Sequence, residues 1–457
     1  MVPTRRGAFG PRSPAPRTRG DGPRDPQAWA RLGRCSPHAR GWFPYRVLPH
    51  PDLRCVRKRS PREVGHVNTI AAEGSAMEQL LARVAEFLGR PVSPEWENAF
   101  RAVPRHRFLL DRIWLRDGHG GYDICDRAAQ PTRWWAAAHA DAPVVTHVLT
   151  EADGTRCPLS SASAPGTVVA MLEALDVRPG TRVLEIGTGT GWNAGLLASR
   201  AGDAEVVTVE LDRELAERAR ATLAAVGRSP RVVHANGAEG WPPGAPYERV
   251  VATCSVRRVP RPWLDQLAPG GRLVTPWASA WCAYGTAVVE RDERGIVMGR
   301  WRPGGSYMPL RAPGARPEER PPDTHPERAP AEPTELSPWA VAGEDYQAQF
   351  VMGLLVPGVW HAWEAGNQRA GTHATLWVRA ENDPSAALVE VAAGTGHTTV
   401  RQSGPRRLWD EISAAYGWWH AAGSPDMPRF GFTCGGDGTT TAWLDTPERQ
   451  LPEPTTR

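Results

Sequence analysis

The chain has 457 residues, 41% of them hydrophobic, which is too long for one ordinary core and predicts two or three folded units. No apolar stretch approaches the roughly 18 residues of a membrane span. The seven scattered cysteines include no C-x-x-C pair, which argues against a zinc site or disulfide framework and fits a reducing, cytoplasmic setting. The net charge of +4 is not a nucleic-acid signal, because residues 1–76 hold fifteen Arg/Lys against five Asp/Glu while the remainder holds thirty-nine against forty-five.

Residues 1–76 read as a disordered extension rich in Arg and Pro, with too few periodic apolar positions to offset chain entropy. They are expected to be dispensable, and a start at Met77 is an alternative to Met1. From Met77 the pattern becomes helical, with Leu80, Leu81, Val84, Phe87 and Leu88 on one face. A second short helix is expected over 94–102. Residues 100–109 (FRAVPRHRFL), 122–130 (YDICDRAAQ) and a Trp-containing stretch to Thr150 follow, with no element assigned to them. A helix follows over 166–175, and Ser163 sits in the loop before it.

Residues 182–191 (RVLEIGTGTG) organise the rest. Val183, Leu184 and Ile186 form a short buried strand. Gly187, Gly189 and Gly191 follow at alternate positions, where the backbone can turn sharply and admit a ligand close to main-chain atoms. A helix begins at Trp192. Strand, glycine turn and helix form the ligand-binding end of an open α/β sheet. The spacing is G-x-G-x-G rather than the G-x-G-x-x-G of dinucleotide loops. A glycine-rich connection without a ligand is the plainer alternative. The next strand (EVVTVE) ends in Glu210, about 20 residues past the glycines, where an acid commonly takes ribose hydroxyls. A solvated strand-end charge is the alternative.

Asp212 is the expected cap of a helix over 212–226, followed by strands at 231–234, 248–253 and after the APGG turn at 268–271. A closing hairpin is expected over 284–301. Strands alternating with helices imply a mostly parallel sheet. The expected organisation is then a catalytic unit over 77–301, a proline-rich linker over 302–338 with ten prolines, and a separate α+β unit over 339–457. That last unit holds eight of the 20 tryptophans and no catalytic motif of its own. Three strands, a helix over 404–423 and two further strands (RFGFTC, TTTAWLD) are expected within it. The tryptophans at 134, 135, 418 and 419 read as core, and His106, His139 and His147 as structural. No metal site is expected.

These motifs resemble, in family order, the protein-L-isoaspartate (D-aspartate) O-methyltransferase family. Residues 100–108 (FRAVPRHRF) are similar to its N-terminal signature, and 161–165 to its T-x-S-x-P substrate loop with Ser163 on the functional serine. VLEIGTGTGW matches its cofactor motif, Asn236-Gly237 and PYERVVAT its central segment, and residues 260–276 its closing segment. The family has Asp at the positions of Asn236 and Glu248, and often His at that of Gly166. The resemblance covers roughly 200 residues. It implies a class I methyltransferase (Rossmann-like) α/β sheet with N-terminal helices. It also implies S-adenosyl-L-methionine as cofactor, held by Glu185, Gly187, Thr188, Gly189, Gly191, Glu210, Leu211, Asn236 and Gly237. Ser163 would bind the acceptor carboxylate, with helix capping as its alternative. Glu185 could meet the cofactor's amino group or merely brace its strand. The C-terminal unit resembles the tail of actinobacterial homologues encoded beside ATP-grasp peptide maturases. That implies an Asp or isoAsp carboxylate in a ribosomally made macrocyclic peptide as substrate, selected by residues 339–445. Repair of aged proteins and a non-catalytic peptide-binding role remain alternatives. No nucleic-acid or membrane partner is implied. Removal of the C-terminal unit after Ser337 is expected to spare cofactor binding.

Overall fold

The computed structural model describes residues 69–117, 121–150, 156–313, 324–365, 372–435 and 439–453. The expected disorder of residues 1–68 lies outside them. Helix α1 (Thr69–Leu88) begins eight residues before Met77, so the expected boundary at Met77 falls inside a helix. Met77, Leu80, Leu81 and Val84 are buried on its inner face, but Phe87 is 55% exposed. The Phe87 ring instead leans on Gly166, where an added Cβ would stand 2.6 Å from its Cδ1. Helix α2 (Pro94–Ala102) buries Trp96 and Phe100.

Next come β1 (Arg112–Arg116), β2 (Tyr122–Asp126), α3 (Pro131–Ala138), β3 (Val144–Thr150) and β4 (Arg156–Ala162). The four strands form an antiparallel sheet in the order β2-β1-β3-β4 around Ile113, Cys125, Trp134 and Val144. Sequence patterning did not resolve this sheet.

Helix α4 (Pro165–Leu175) leads into β5 (Val183–Ile186), α5 (Trp192–Ala201), β6 (Val206–Glu210), α6 (Arg213–Ala225) and β7 (Arg231–His234). Then follow β8 (Tyr247–Ala252), α7 (Arg261–Asp265), β9 (Leu267–Pro276), β10 (Thr286–Arg291) and β11 (Val297–Arg302). Every residue of β5 and β6 is buried, as in a parallel strand covered by helices on both faces. The register pairs Ile186 with Val209, so the turn after β5 and Glu210 at the end of β6 emerge at one edge. Asp212 caps α6 as expected, its Oδ1 accepting the Glu214 and Leu215 amides at 2.9 and 3.1 Å. Hairpin β10–β11 continues the sheet antiparallel to β9.

The C-terminal residues form β12 (Glu332–Pro333), α8 (Pro338–Ala342), α9 (Tyr346–Leu355), β13 (Val359–Ala365), β14 (Thr372–Ala380), β15 (Ala386–Ala392), β16 (Thr398–Ser403), α10 (Leu408–Ala421), β17 (Phe430–Cys434) and β18 (Thr440–Leu444). Beside the small sheet of β1 to β4, the described residues form a first sheet on β5 to β11 and a second that runs β12-β16-β15-β14-β13. Strands β17 and β18 do not join it. They extend the first sheet beside β11, giving nine strands in the order β18-β17-β11-β10-β9-β8-β5-β6-β7. The separation expected at residue 339 therefore does not hold. One continuous apolar core runs from Leu184 and Val250 through Trp277 and Trp301 to Phe350, Trp409 and Phe430.

The expected linker over 302–338 also differs. Residues 304–311 form a fixed strap across the first sheet. The Ser255 amide donates to the Met308 carbonyl at 2.8 Å, and the Leu310 amide to the Ser255 carbonyl at 2.9 Å. Gly304 and Gly305 permit this approach, since a Cβ would stand 2.1 Å from Thr286 Oγ1 or 2.7 Å from Thr167 Cγ2 respectively. Further on, Glu332 and Pro333 pair with Val400 and Thr399.

Candidate active site

A cavity opens at the carboxyl edge of β5 and β6. Gly187, Thr188, Gly189, Glu210, Leu211 and Gly237 line it, together with Ser163 from the loop after β4. The three turn glycines have φ of 93°, 54° and 87°, in the left-handed region that a side chain strains. A Cβ on Gly187 would also strike Thr253 Oγ1 at 2.7 Å. Gly191 does not line the cavity; its α-carbon faces α6, with Ala219 Cβ 3.2 Å from where a Cβ would sit.

Glu210 is 5% exposed and held open-faced to the cavity. Its Oε2 accepts the Gly189 amide at 2.8 Å and its Oε1 the Asp212 amide at 3.0 Å. Each oxygen keeps a lone pair for a ligand hydroxyl. Gly237 forms part of the wall and packs closely on β5, where a Cβ would meet Ile186 Cγ2 at 2.8 Å. Asn236 is turned away, its Oδ1 accepting the Ala238 amide of its own turn at 3.1 Å.

Glu185 lies behind the turn rather than in the cavity. Its Oε1 accepts Asn193 Nδ2 at 2.7 Å and its Oε2 the Thr208 hydroxyl at 2.5 Å; Thr208 Oγ1 is 2.6 Å from Thr188 Oγ1. Full burial pushes the Glu185 carboxyl up to about 7, against the pull of these hydrogen bonds, with the negative Glu210 adding to the rise. The geometry matches the strand-bracing reading of this residue.

Ser163 does not cap α4. Ala164 occupies that position, and the Gly166 amide donates instead to Asp141 Oδ1 at 2.7 Å. The Ser163 carbonyl accepts from Arg105 Nη2 at 3.0 Å. Arg105, the arginine of the VPR stretch, is 1% exposed and also donates to the carbonyls of Ala138, Ala140, Ala142 and Ala162. Burial lowers its guanidinium to about 10, still charged at neutral pH.

Several lining residues were missed by sequence reasoning: Asn193 at the start of α5, Thr253 and Cys254 after β8, and the strap residues Tyr307 to Arg311. Burial pushes the Cys254 thiol up to about 12, so it stays neutral. The short apolar run Tyr307-Met308-Pro309-Leu310, inside an otherwise proline- and charge-rich stretch, was the one available signal for the strap. Among the described residues no group of three His, Cys, Asp or Glu could hold a metal, and no helix is long and apolar enough to cross a membrane.

Comparison with known proteins fixes the family. The profile of protein-L-isoaspartate(D-aspartate) O-methyltransferase (PCMT) matches residues 140–312. The protein-L-isoaspartate O-methyltransferase of Gloeobacter violaceus is 37% identical over 201 residues, covering 44% of this chain and 82% of that protein. The chain belongs to the protein-L-isoaspartate O-methyltransferase family. The homologous methyltransferase of Methanopyrus kandleri is 33% identical over 246 residues, 51% of this chain and 91% of its own length. That of Thermococcus onnurineus is 39% identical over 223 residues, 48% of this chain and 86% of its own. The strap that closes the cavity of this methyltransferase ends the matched region. The second sheet lies beyond it.

Proposed function

We propose that this S-adenosyl-L-methionine-dependent protein-L-isoaspartate O-methyltransferase uses the cavity at the β5–β6 edge for both cofactor and acceptor. The observation that carries the reading is the meeting of three features at one cavity: the glycine turn, the amide-held Glu210 and the loop serine Ser163. Bound there, S-adenosyl-L-methionine supplies the methyl group. Glu210 holds its ribose, Leu211 and Gly237 flank its adenine, and Gly187 to Gly189 admit its methionine end. Asn193 and Thr188 tie the buried Glu185 to that wall. Ser163 donates a hydrogen bond to the acceptor carboxylate. The acceptor is already an anion at neutral pH, so the protein's task is orientation and exclusion of water rather than proton transfer.

The acceptor we propose is an Asp or isoAsp carboxylate in a ribosomally made macrocyclic peptide of the ATP-grasp-modified type. The support is the C-terminal addition, a whole sheet and three helices that the matched family region does not require. Contact area away from the reacting centre serves an enzyme that must find one peptide among many.

The test is calorimetry of S-adenosylhomocysteine with Gly189→Val. At φ of 54° a β-branched side chain is strained, and it would project where the ligand approaches. Binding should fall at least about 100-fold, roughly 2.7 kcal/mol. Unchanged binding would mean that the cofactor lies elsewhere. Mass spectrometry of candidate macrocyclic peptides incubated with enzyme and cofactor tests the acceptor; a gain of one methyl on a generic isoaspartyl peptide alone favours the repair reading.

A further inference from the structure

We infer that Tyr307, on the strap after β11, is a positioning residue for methyl transfer that aims the Ser163 hydroxyl at the acceptor. The inference rests on the acceptor role proposed for Ser163. Tyr307 and Ser163 line the same cavity from opposite chain segments, and Tyr307 is 8% exposed. Their hydroxyls are hydrogen-bonded, and burial keeps the Tyr307 phenol protonated far above neutral pH. Once a carboxylate accepts the serine proton, the phenol is the donor to Ser163 Oγ, because a buried phenol O–H left without an acceptor is costly. The serine oxygen then serves as acceptor on that side, and its own proton points into the cavity, where a carboxylate oxygen would arrive. Without Tyr307 the serine hydroxyl rotates freely among its staggered positions.

Both ends of this bond are fixed. Ser163 is held through its carbonyl by Arg105 at 3.0 Å, and the preceding Ala162 carbonyl by the same Nη2 at 2.9 Å. Tyr307 is held through its own carbonyl, which accepts the Ser255 hydroxyl at 3.0 Å, while the next residue is paired to the Ser255 backbone. Such double fixation is what a pre-organised donor needs.

The experiment uses the full-length protein with a synthetic isoaspartyl peptide. Steady-state kinetics and S-adenosylhomocysteine titrations are run on Ser163→Ala, Tyr307→Phe and the double variant. Phenylalanine keeps the buried ring, so Tyr307→Phe should melt close to the parent. Its kcat should fall roughly 3- to 10-fold, the worth of one neutral hydrogen bond, with KM and S-adenosylhomocysteine affinity nearly unchanged. Ser163→Ala should lose more, and adding Tyr307→Phe to it should cost nothing further, because the phenol acts through the serine. Independent, multiplying losses would overturn the inference, as would a parent-like kcat in Tyr307→Phe or an equal loss of cofactor affinity. If Tyr307→Phe is silent while Ser163→Ala is slow, only this inference falls. If Ser163→Ala itself turns over normally, the acceptor role of Ser163 falls and takes the inference with it.

Discussion

At the scale of single residues, two buried acids flank the glycine turn in different settings. Glu210 faces the cavity with both oxygens steadied by main-chain amides. Glu185 is sealed behind the turn, and burial lifts it from 4.5 to about 7. A carboxyl with a raised folded pKa stabilises the fold fully below its unfolded pKa, and that contribution is lost as pH rises through the folded pKa. The ligand-free protein should therefore lose on the order of 3 kcal/mol between pH 4.5 and about 7 from this group alone. Glu185→Gln should flatten that part of the profile and raise stability at pH 8. Its amide oxygen still accepts from Asn193, its NH2 donates to Thr208, and Thr208 then donates to Thr188, so the hydroxyl chain simply reverses. Melting curves from pH 4.5 to 8 check this; an unaltered slope in Glu185→Gln would assign the pH dependence to other groups. The sequence carried Gly187, Gly189 and Glu210 plainly, because a turn that needs positive φ and an acid at a strand end leave marks in residue type. It could not decide Glu185 or Asn236. Both sit one residue from a cavity-lining position, and only the fold decides which way a side chain turns.

At the scale of elements, the loop that carries Ser163 is built by residues far from it in sequence. Arg105 collects the loop at 138–142 and the end of β4 by donating to five carbonyls. Its guanidinium also lies 5.7 Å from the Trp192 ring, which begins the helix after the glycine turn. A planar fork with donors on both sides suits that task, and a lysine ammonium with three donors cannot reach all five acceptors. Arg105→Lys should destabilise the protein by about 2 kcal/mol or more through carbonyls left unpaired. It should also lower kcat more than it weakens S-adenosylhomocysteine binding, since the loop it holds carries Ser163 and not the cofactor wall. Urea denaturation with parallel kinetics checks both; a parent-like midpoint would show that the carbonyls find other donors. Element identity was legible where strands are buried on both faces, because VLEI and VVTVE read as unbroken apolar runs. The antiparallel sheet of β1 to β4 was not, because its strands present few buried residues each, Ile113 alone in β1. The strap was hidden by its flanking prolines, which read as a linker until Ser255 is seen to pair with it.

At the scale of the whole molecule, the C-terminal third was expected to be an accessory that could be removed. Its strands were legible from alternation, but alternation does not say which sheet a strand joins, and the partner of β17 lies some 130 residues earlier. Phe432 on β17 packs against Trp301 of β11 with ring centroids 4.6 Å apart and planes tilted by 45°, and it covers Gly299, where a Cβ would stand 2.3 Å from the ring. Phe350 of α9 packs edge-on against Trp277 and Trp301 at 5.2 and 5.6 Å. The Trp281 indole donates to the Val341 carbonyl at 2.9 Å. A chain ending at Ser337 would expose β11 as a long unpaired edge beside bared tryptophans, which invites aggregation. Such a chain should fail to fold, so truncation cannot isolate substrate selection from stability. Phe432→Ala is the finer probe: it removes a 3% exposed ring over a glycine and should cost about 3–5 kcal/mol. If the two sheets share one core, calorimetry of the full chain should show a single transition that moves down as a whole in Phe432→Ala. Two separate transitions, with only one displaced, would restore the picture of independent units, and so would a Ser337-truncated protein that binds S-adenosylhomocysteine as the full chain does. Substrate selection is then tested on the second sheet without touching the core. Trp377 is half-buried on its outer face, its indole donating to Glu364 at 2.8 Å. Trp377→Ala should leave activity on a short isoaspartyl peptide intact while raising KM for a cognate macrocyclic peptide at least severalfold. Equal kinetics on both peptides would remove this face from substrate recognition.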